Sequence, residues 1–325
     1  MKTRAAIHFS LTTTHFPSGS PMQSPRTFAS NISWAKLRPH IVGWAFISPW
    51  LVSFSFLMVY PFIASFVLSF TRYQLIGEAE FIGFENIQRM LFGDERVADA
   101  LQVTFTYVLL TVPAGTAISV FVAILLNQKV RGIPFFRTSF YIPSVIGGVG
   151  LALLWTTILS ANGPVNAALG WVGIEGPNWL FDTSWALPSL ALKALATAGA
   201  AMLIILAALQ GVPQHLYEAV DLDGGGEWAK FWHVTLPQIS PAIFYNVIVT
   251  TIGVMQSFVE AFIMTNGGPG TATLFYGLYL YRQAFEFYRM GYASALAWMI
   301  FLIILALTFV NFRIARFWVY YEGEE

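Results

Sequence analysis

Between Arg38 and Arg72, residues 39–71 read PHIVGWAFISPWLVSFSFLMVYPFIASFVLSFT, and none of them is Asp, Glu, Lys or Arg. A helix needs about 20 apolar residues to cross the hydrocarbon core of a bilayer, so this stretch is long enough for one crossing. Because lipid offers the backbone no hydrogen-bond partners, such a segment must be helical. The sequence therefore predicts a membrane-spanning helix near residues 42–70.

Other parts of the chain lack charged residues in the same way, namely 100–128, 138–174, 194–217, 231–259 and 290–312. They predict further spans near 101–126, 140–160, 188–210, 241–263 and 294–317. Only 10% of the 325 residues are charged, whereas a soluble domain has about 25%. The predicted fold class is all-α: a polytopic membrane protein with six transmembrane helices, in contact with lipid.

The charges between these stretches predict the orientation of the chain. The N-terminal segment and the loop at 127–139 contain basic residues and no acid, whereas segment 71–99 is acidic. Basic loops stay in the cytoplasm, so both termini are expected there and 71–99 outside. The loop at 211–240 is acidic although it is cytoplasmic by count, and acids weigh little in this rule.

The chain divides into a long membrane domain and two tails. Residues 1–38 are rich in Ser, Thr and Pro and are expected to form a disordered cytoplasmic tail. The membrane domain is expected over 39–320, with a cytoplasmic loop at 211–240, and a short tail over 321–325.

Several classes of chemistry are excluded or disfavoured by composition. The chain has no cysteine, which excludes disulfides and cysteine nucleophiles. Its five histidines show no ligand spacing, so no metal site is expected. It lacks a G-x-x-x-x-G-K-[ST] phosphate loop, so ATP hydrolysis on this chain is not expected. With a net charge of zero, no nucleic-acid partner is expected either.

The loop after the fourth predicted span reads GVPQHLYEAVDLDGGGEWAKFWHVTLPQIS over residues 211–240. Pro213 ends the preceding helix, and the pattern of 216–222 predicts one to two turns of amphipathic helix. Gly224 follows, and glycine tolerates the left-handed conformation of a helix C-terminus. An apolar, aromatic loop in the cytosol indicates a partner surface, unless its aromatic side chains lie in the lipid headgroup layer.

Three short motifs in this loop resemble the "EAA" loop of bacterial ABC-importer permeases: Glu218-Ala219-Val220, Asp223-Gly224 and Leu236-Pro237. More narrowly, the chain resembles the carbohydrate branch, the family of the maltose and glycerol-phosphate permeases. Further matches are Tyr141-Ile142-Pro143, Trp155, Gly163 with Asn166, and Thr265-Asn266-Gly267-Gly268-Pro269. The sequence departs from the family at Val220 and Gly225, where alanine is usual, which suggests a more flexible loop.

This resemblance implies the type I importer fold and a set of partners in the bacterial inner membrane. The partners are a second permease subunit in a heterodimer, two ATPase subunits that bind Mg-ATP, and an extracytoplasmic solute-binding protein that delivers a sugar-like solute. No cofactor is expected on this chain. The loop would hold a coupling helix that docks in the ATPase, and the residues assigned to it are Tyr217, Glu218, Ala219, Leu222, Asp223 and Gly224.

Polar groups within the spans are the candidates for the solute path, because a polar group facing lipid is costly. By comparison with the maltose-type permeases, the path residues assigned are Ser144, Lys193, Thr197, Thr250, Val254 and Ser257. Trp155 is a candidate to cover the apolar face of a sugar. The alternative for Lys193 is that its side chain extends to the outer surface. Glu260 is left open between water, the path and the partner subunit, and Thr250 and Ser257 are expected to line the path more than Glu260 does.

Two other classes remain as rivals. An ion-gradient-driven secondary transporter often has ion-binding acids within broken helices, and no acid is expected in the middle of a span. A membrane glycosyltransferase would use the D-x-D formed by Asp221 and Asp223 to hold a metal and a nucleotide sugar.

Overall fold

The computed structural model describes residues 34–128, 131–197 and 199–320, and nearly all of their regular structure is helical. The α-helices are α1 (Trp34–Phe54), α2 (Tyr60–Leu68), α3 (Glu85–Gln88), α4 (Glu95–Leu126), α5 (Ile133–Val145), α6 (Gly148–Ile158), α7 (Pro164–Trp171), α8 (Ala186–Ala196), α9 (Gly199–Gln210), α10 (Gln214–Leu222), α11 (Glu227–Lys230), α12 (Leu236–Met255), α13 (Tyr276–Tyr281) and α14 (Met290–Ala315). π-Helical turns occur at Ser55–Val59, Arg89–Gly93, Phe231–Thr235, Ala261–Thr265 and Arg282–Glu286. Two short strands, β1 (Thr71–Arg72) and β2 (Glu80–Phe81), pair antiparallel, with Thr71 opposite Phe81.

Within the described residues, the segments long and apolar enough to cross a membrane unbroken are Val42–Leu68, Glu95–Leu126, Glu227–Met255 and Met290–Ala315. Two bent helix pairs, α5 with α6 and α8 with α9, bring the count to six if each pair is one span. The predicted helical membrane fold is therefore confirmed, with four to six candidate spans among the described residues.

The third predicted span, 140–160, differs from a straight helix. Its two halves, α5 and α6, meet at an angle of 104°. Pro143 lies inside α5, Ile146 has extended backbone, and glycines follow at 147 and 148. Proline and glycine are the residues that most weaken a helix, which explains why the chain turns here.

The fifth span begins and ends earlier than the predicted range of 241–263. Its helical segment covers Glu227–Met255, and Ser257 and Phe258 are not helical. Prolines 237 and 241 predict that the span begins near 241, but both lie within the helix. A proline ring clashes with the carbonyl four residues before it, but the π-helical turn Phe231–Thr235 precedes Pro237 and widens the backbone there.

The predicted tails fall mostly outside the described residues, which omit 1–33 and 321–325. Residues 34–38 differ from the expected disordered tail, because they form the start of α1. The sequence Trp34-Ala-Lys-Leu-Arg38 consists mainly of good helix formers, which favours this early start. Residues 34–58 belong to a unit of their own, whose described apolar side chains, such as Trp44, Phe46 and Trp50, are exposed.

In the unit from Val59 onward, the long helix α4 lies at the centre and packs against α8, α9 and α12. Near its N-terminal end, Tyr107 belongs to a buried cluster with Leu190 and Phe275. At its C-terminal end, Ala123 and Leu126 belong to a second cluster that includes residues of α9 and α12. The middle of α4, between these clusters, is where a cavity opens.

Candidate functional site

A cavity of about 340 Å³ lies between three parts of the helical unit. Its walls come from α4 between Tyr107 and Ser119, from α8 and α9, and from α12 with the segment that follows it. Several wall residues are small, including Gly115, Ala194, Ala200 and Ala201. Small side chains leave space between packed helices, and the volume lies within the roughly 300–1,000 Å³ typical of ligand sites.

The polar groups of the cavity wall are mostly hydroxyls and one amide. The hydroxyls of Thr111 and Thr197 donate hydrogen bonds to backbone carbonyls in their own helices. The Thr250 hydroxyl donates to the side-chain oxygen (Oδ1) of Asn246 over 3.2 Å. The side-chain nitrogen (Nδ2) of Asn246 has no hydrogen-bond partner among the described residues. Hydroxyl lone pairs and this amide therefore remain available to a polar solute.

A buried ion pair forms another part of the wall. The ammonium nitrogen (Nζ) of Lys193 lies 2.6 Å from the Glu260 carboxylate (Oε1), and their side chains are 6% and 20% exposed. The pair links α8 to the segment after α12, across 67 positions of sequence. Lys193 therefore does not extend to the outer surface. Within the chain, the partner of Glu260 is Lys193.

The structure brings together five of the six residues assigned to the solute path: Lys193, Thr197, Thr250, Val254 and Ser257 all line this cavity. Ser144 does not line it, because it lies near the bend between α5 and α6, where its hydroxyl donates to the Tyr141 carbonyl. Trp155 packs against the first buried cluster instead. Glu260 lines the same cavity as Thr250 and Ser257.

Sequence reasoning missed four notable wall residues: Tyr107, Thr111, Tyr245 and Asn246. Asn246 and Thr250 are spaced i, i+4, which places them on one helix face and could have revealed the amide. Tyr245, which is 55% exposed, is the aromatic side chain available to cover the face of a sugar ring. Tyr107 and Thr111 carried no local signal beyond their positions in an apolar stretch.

The predicted amphipathic helix of the 211–240 loop is α10, Gln214–Leu222. Its N-terminus follows Pro213, and Gly224 adopts φ +77° after its C-terminus, where the Gly225 N–H donates to the Val220 carbonyl over 2.8 Å. Glu218, Ala219 and Leu222 are exposed, and Leu222 is 89% exposed. Asp223 and Gly224 are exposed beside them, so α10 presents a free surface.

Two contacts hold α10 against the start of the fifth span. The Tyr217 hydroxyl lies 3.2 Å from the Thr235 hydroxyl, and Asp221 pairs with Lys230 at 2.8 Å. Tyr217, which is assigned to the ATPase contact, therefore also contacts its own chain through its hydroxyl. Movement of α10 would be transmitted directly to the fifth helix through these contacts.

The two departures from the family pattern at this loop compensate each other. A Cβ atom at Gly225 would lie 2.5 Å from the Cγ1 atom of Val220, too close for any real contact. The valine methyl therefore occupies the space that an alanine at 225 would need. The turn is filled rather than loosened, so the expectation of a more flexible loop is not supported by the packing.

We expect Gly225→Ala to weaken this turn, because overpacking typically costs about 1–3 kcal/mol. Val220→Ala combined with Gly225→Ala should restore most of the loss, since it removes the methyl that clashes. Hydrogen exchange of the peptide 214–226, measured by mass spectrometry on the purified chain, reports the opening of the turn. Unchanged exchange in the single variant, or no recovery in the double variant, would contradict this packing.

The D-x-D of this loop is not an open pair of carboxylates. The Asp221 carboxylate already has the Lys230 ammonium as its partner, and a metal would have to replace it. Among the residues that the structure describes, no group of three or more His, Asp or Glu side chains is arranged to hold a metal ion. The glycosyltransferase reading therefore has no support in this geometry.

Comparison with known families decides the class of protein. Residues 90–318 match the family model described as "Binding-protein-dependent transport system inner membrane component". The chain belongs to this family. It is a permease subunit of a binding-protein-dependent ABC importer, and the resemblance inferred from the loop motifs is confirmed.

Relatives of this permease match along most of their length. A probable ABC transporter permease of Bacillus subtilis (strain 168), YesP, is 40% identical over 82% of this chain and 88% of the relative. The lactose transport system permease LacF of Rhizobium radiobacter is 35% identical over 80% of this chain and 89% of the relative. A solved bacterial ABC transporter that imports the acidic polysaccharide alginate matches in fold, with a TM-score of 0.77, 24% identity, and coverage of 87% and 98%.

Proposed function

We propose that this permease forms half of the translocation path for a sugar or sugar-like solute. The observation behind the proposal is the 340 Å³ cavity, which joins the assigned residues Lys193, Thr197, Thr250, Val254 and Ser257. Its hydroxyls, its amide and the ring of Tyr245 are the groups that bind saccharides. The names of relatives agree with this class, since they include permeases for lactose, arabinooligosaccharides and sulfoquinovosyl glycerol.

The remaining parts of the transporter follow from the same proposal. A second permease completes the path, an extracytoplasmic binding protein delivers the solute, and two ATPase subunits bind Mg-ATP. The exposed surface of α10, with Glu218, Leu222 and Asp223, docks on an ATPase. Both termini and this loop then face the cytoplasm, in agreement with the basic residues of 127–139.

Replacing Thr250 and Ser257 together with leucine is expected to reduce solute uptake at least tenfold. The larger apolar side chains fill the cavity and remove two hydroxyls that face it. Uptake of a panel of radiolabelled neutral saccharides, including lactose and arabinotriose, is measured in cells that express the complete transporter, with the amount of assembled complex quantified in parallel.

The matched control replaces Thr106 and Thr157 with leucine, since both are exposed hydroxyl residues outside the cavity wall. The control should retain uptake. Full uptake by the Thr250→Leu/Ser257→Leu variant would place the path elsewhere. If wild-type cells accumulate no saccharide of the panel, the proposed solute class is wrong.

A further inference from the structure

The cavity contains one opposed pair of charges. Among the described residues that line it, Lys193 is the only basic residue and Glu260 the only acidic one. Their separation of 2.6 Å means that each neutralises the other at the cavity wall. All other polar wall groups are uncharged hydroxyls or amides, so the wall as a whole has a net charge of zero.

This pairing has different consequences for neutral and for acidic solutes. A solute hydroxyl can accept from a second N–H of the Lys193 ammonium or donate to the free lone pairs of Glu260, and such charge-assisted hydrogen bonds leave the pair intact. A solute carboxylate must either displace Glu260 from Lys193 or lie beside it. Displacement leaves a poorly solvated Glu260 carboxylate without its partner. A solute carboxylate that lies beside Glu260 instead places two negative charges close together.

We propose that the Lys193–Glu260 pair makes the cavity selective for uncharged saccharides over acidic ones, with Glu260 as the residue that excludes anions. The inference rests on the proposed function, because it names the solute class of that path. Without Glu260, the Lys193 ammonium would be an unpaired cation in the cavity wall and a ready partner for a carboxylate. Glu260 therefore determines specificity by occupying the site that an acidic sugar would use.

The natural absence of cysteine allows the charge of the cavity to be measured directly. Ser257→Cys introduces a single thiol at the wall. It is reacted with two small methanethiosulfonates, the anionic sulfonatoethyl reagent and the cationic trimethylammonioethyl reagent. In each reaction the thiolate attacks the reagent sulfur, a mixed disulfide forms and methanesulfinate leaves. The ratio of the two rates cancels changes in thiol ionisation, because both reagents consume the same thiolate.

With the ion pair intact, the anionic-to-cationic rate ratio should lie within threefold of that for 2-mercaptoethanol in solution. Adding Glu260→Gln should raise it at least tenfold, because an uncompensated cation attracts the anion and repels the cation. Exchanging the charges, with Lys193→Glu and Glu260→Lys, should return it to the wild-type range. The matched control Glu227→Gln, which removes an exposed acid outside the cavity, should leave it unchanged.

A second measurement connects the charge of the cavity wall to transport. Uptake of digalacturonate and of neutral galactobiose is compared in cells that carry wild-type or Glu260→Gln transporter with the same binding protein. The acidic-to-neutral uptake ratio should rise at least fivefold in the variant. Any preference of the binding protein for one saccharide affects both strains equally and cancels in this comparison.

Two results would overturn the inference. The first is an anionic-to-cationic rate ratio that differs strongly from that of 2-mercaptoethanol while the pair is intact. The second is an acidic-to-neutral uptake ratio in Glu260→Gln that stays within twofold of the wild-type ratio. The first needs no variant at Glu260, so it remains decisive if that variant folds poorly. Cells that take up neither saccharide contradict the proposed function instead. The thiol rates still decide the charge of the cavity in that case, because they do not depend on passage of a solute.

Discussion

Replacing Glu218 with lysine is expected to abolish recovery of the ATPase subunits with this permease, while the chain still inserts in the membrane. Glu218 is exposed at the centre of α10, and the described residues give it no ion-pair partner of its own. Losing one charge of a desolvated interfacial pair costs about 2–5 kcal/mol, which corresponds to a roughly 30- to 5,000-fold weaker association. Reversal of the charge adds repulsion to that loss.

The measurement is co-purification of the ATPase with each variant, together with solute-stimulated ATP hydrolysis. Glu175→Lys is the matched control, because it reverses an exposed acid in a loop predicted on the opposite side of the membrane. Gly224→Val should act like Glu218→Lys, since φ +77° is strained for a β-branched residue. Normal recovery and normal stimulated hydrolysis in both variants would remove α10 from the ATPase interface.

Replacing Lys193 with methionine is expected to lower the free energy of unfolding by about 3–5 kcal/mol, the usual cost of removing one partner of a buried ion pair. The Glu260 carboxylate would then have to be hydrated through the cavity or take up a proton, and both cost free energy. Thermal unfolding of the purified chain in detergent, followed by tryptophan fluorescence, measures the loss.

Two further variants separate this effect from a general loss of packing. Lys193→Met together with Glu260→Leu should recover most of the stability, because apolar side chains of similar volume replace a buried pair at little cost. Lys230→Met should cost far less than Lys193→Met, since its acidic partners are 56% and 91% exposed and solvent screens the pair. A single Lys193 variant as stable as wild type would show that the pair contributes nothing to the fold.

Much of the architecture could be predicted because it depends on local composition. A span such as 101–126 is visible as a run without charges, and lipid leaves the backbone no conformation other than helix. The turn after α10 was predictable for a similar reason, since Gly224 adopts the positive φ that glycine tolerates best. Five residues assigned by the family resemblance line one cavity, and four of them are polar, which agrees with the cost of leaving a polar side chain in a span without a cavity or another helix to face.

Sequence alone thus determined the membrane class, the order of the spans and the exposed amphipathic helix α10, all of which follow from composition and short-range backbone preference. Only the tertiary structure decided that Lys193 pairs with Glu260, that Val220 fills the space beside Gly225, and that Tyr217 contacts Thr235. These contacts depend on which helix faces meet and how closely the backbones approach. That is set by the packing of α4 against α8, α9 and α12, which no single segment of the chain encodes.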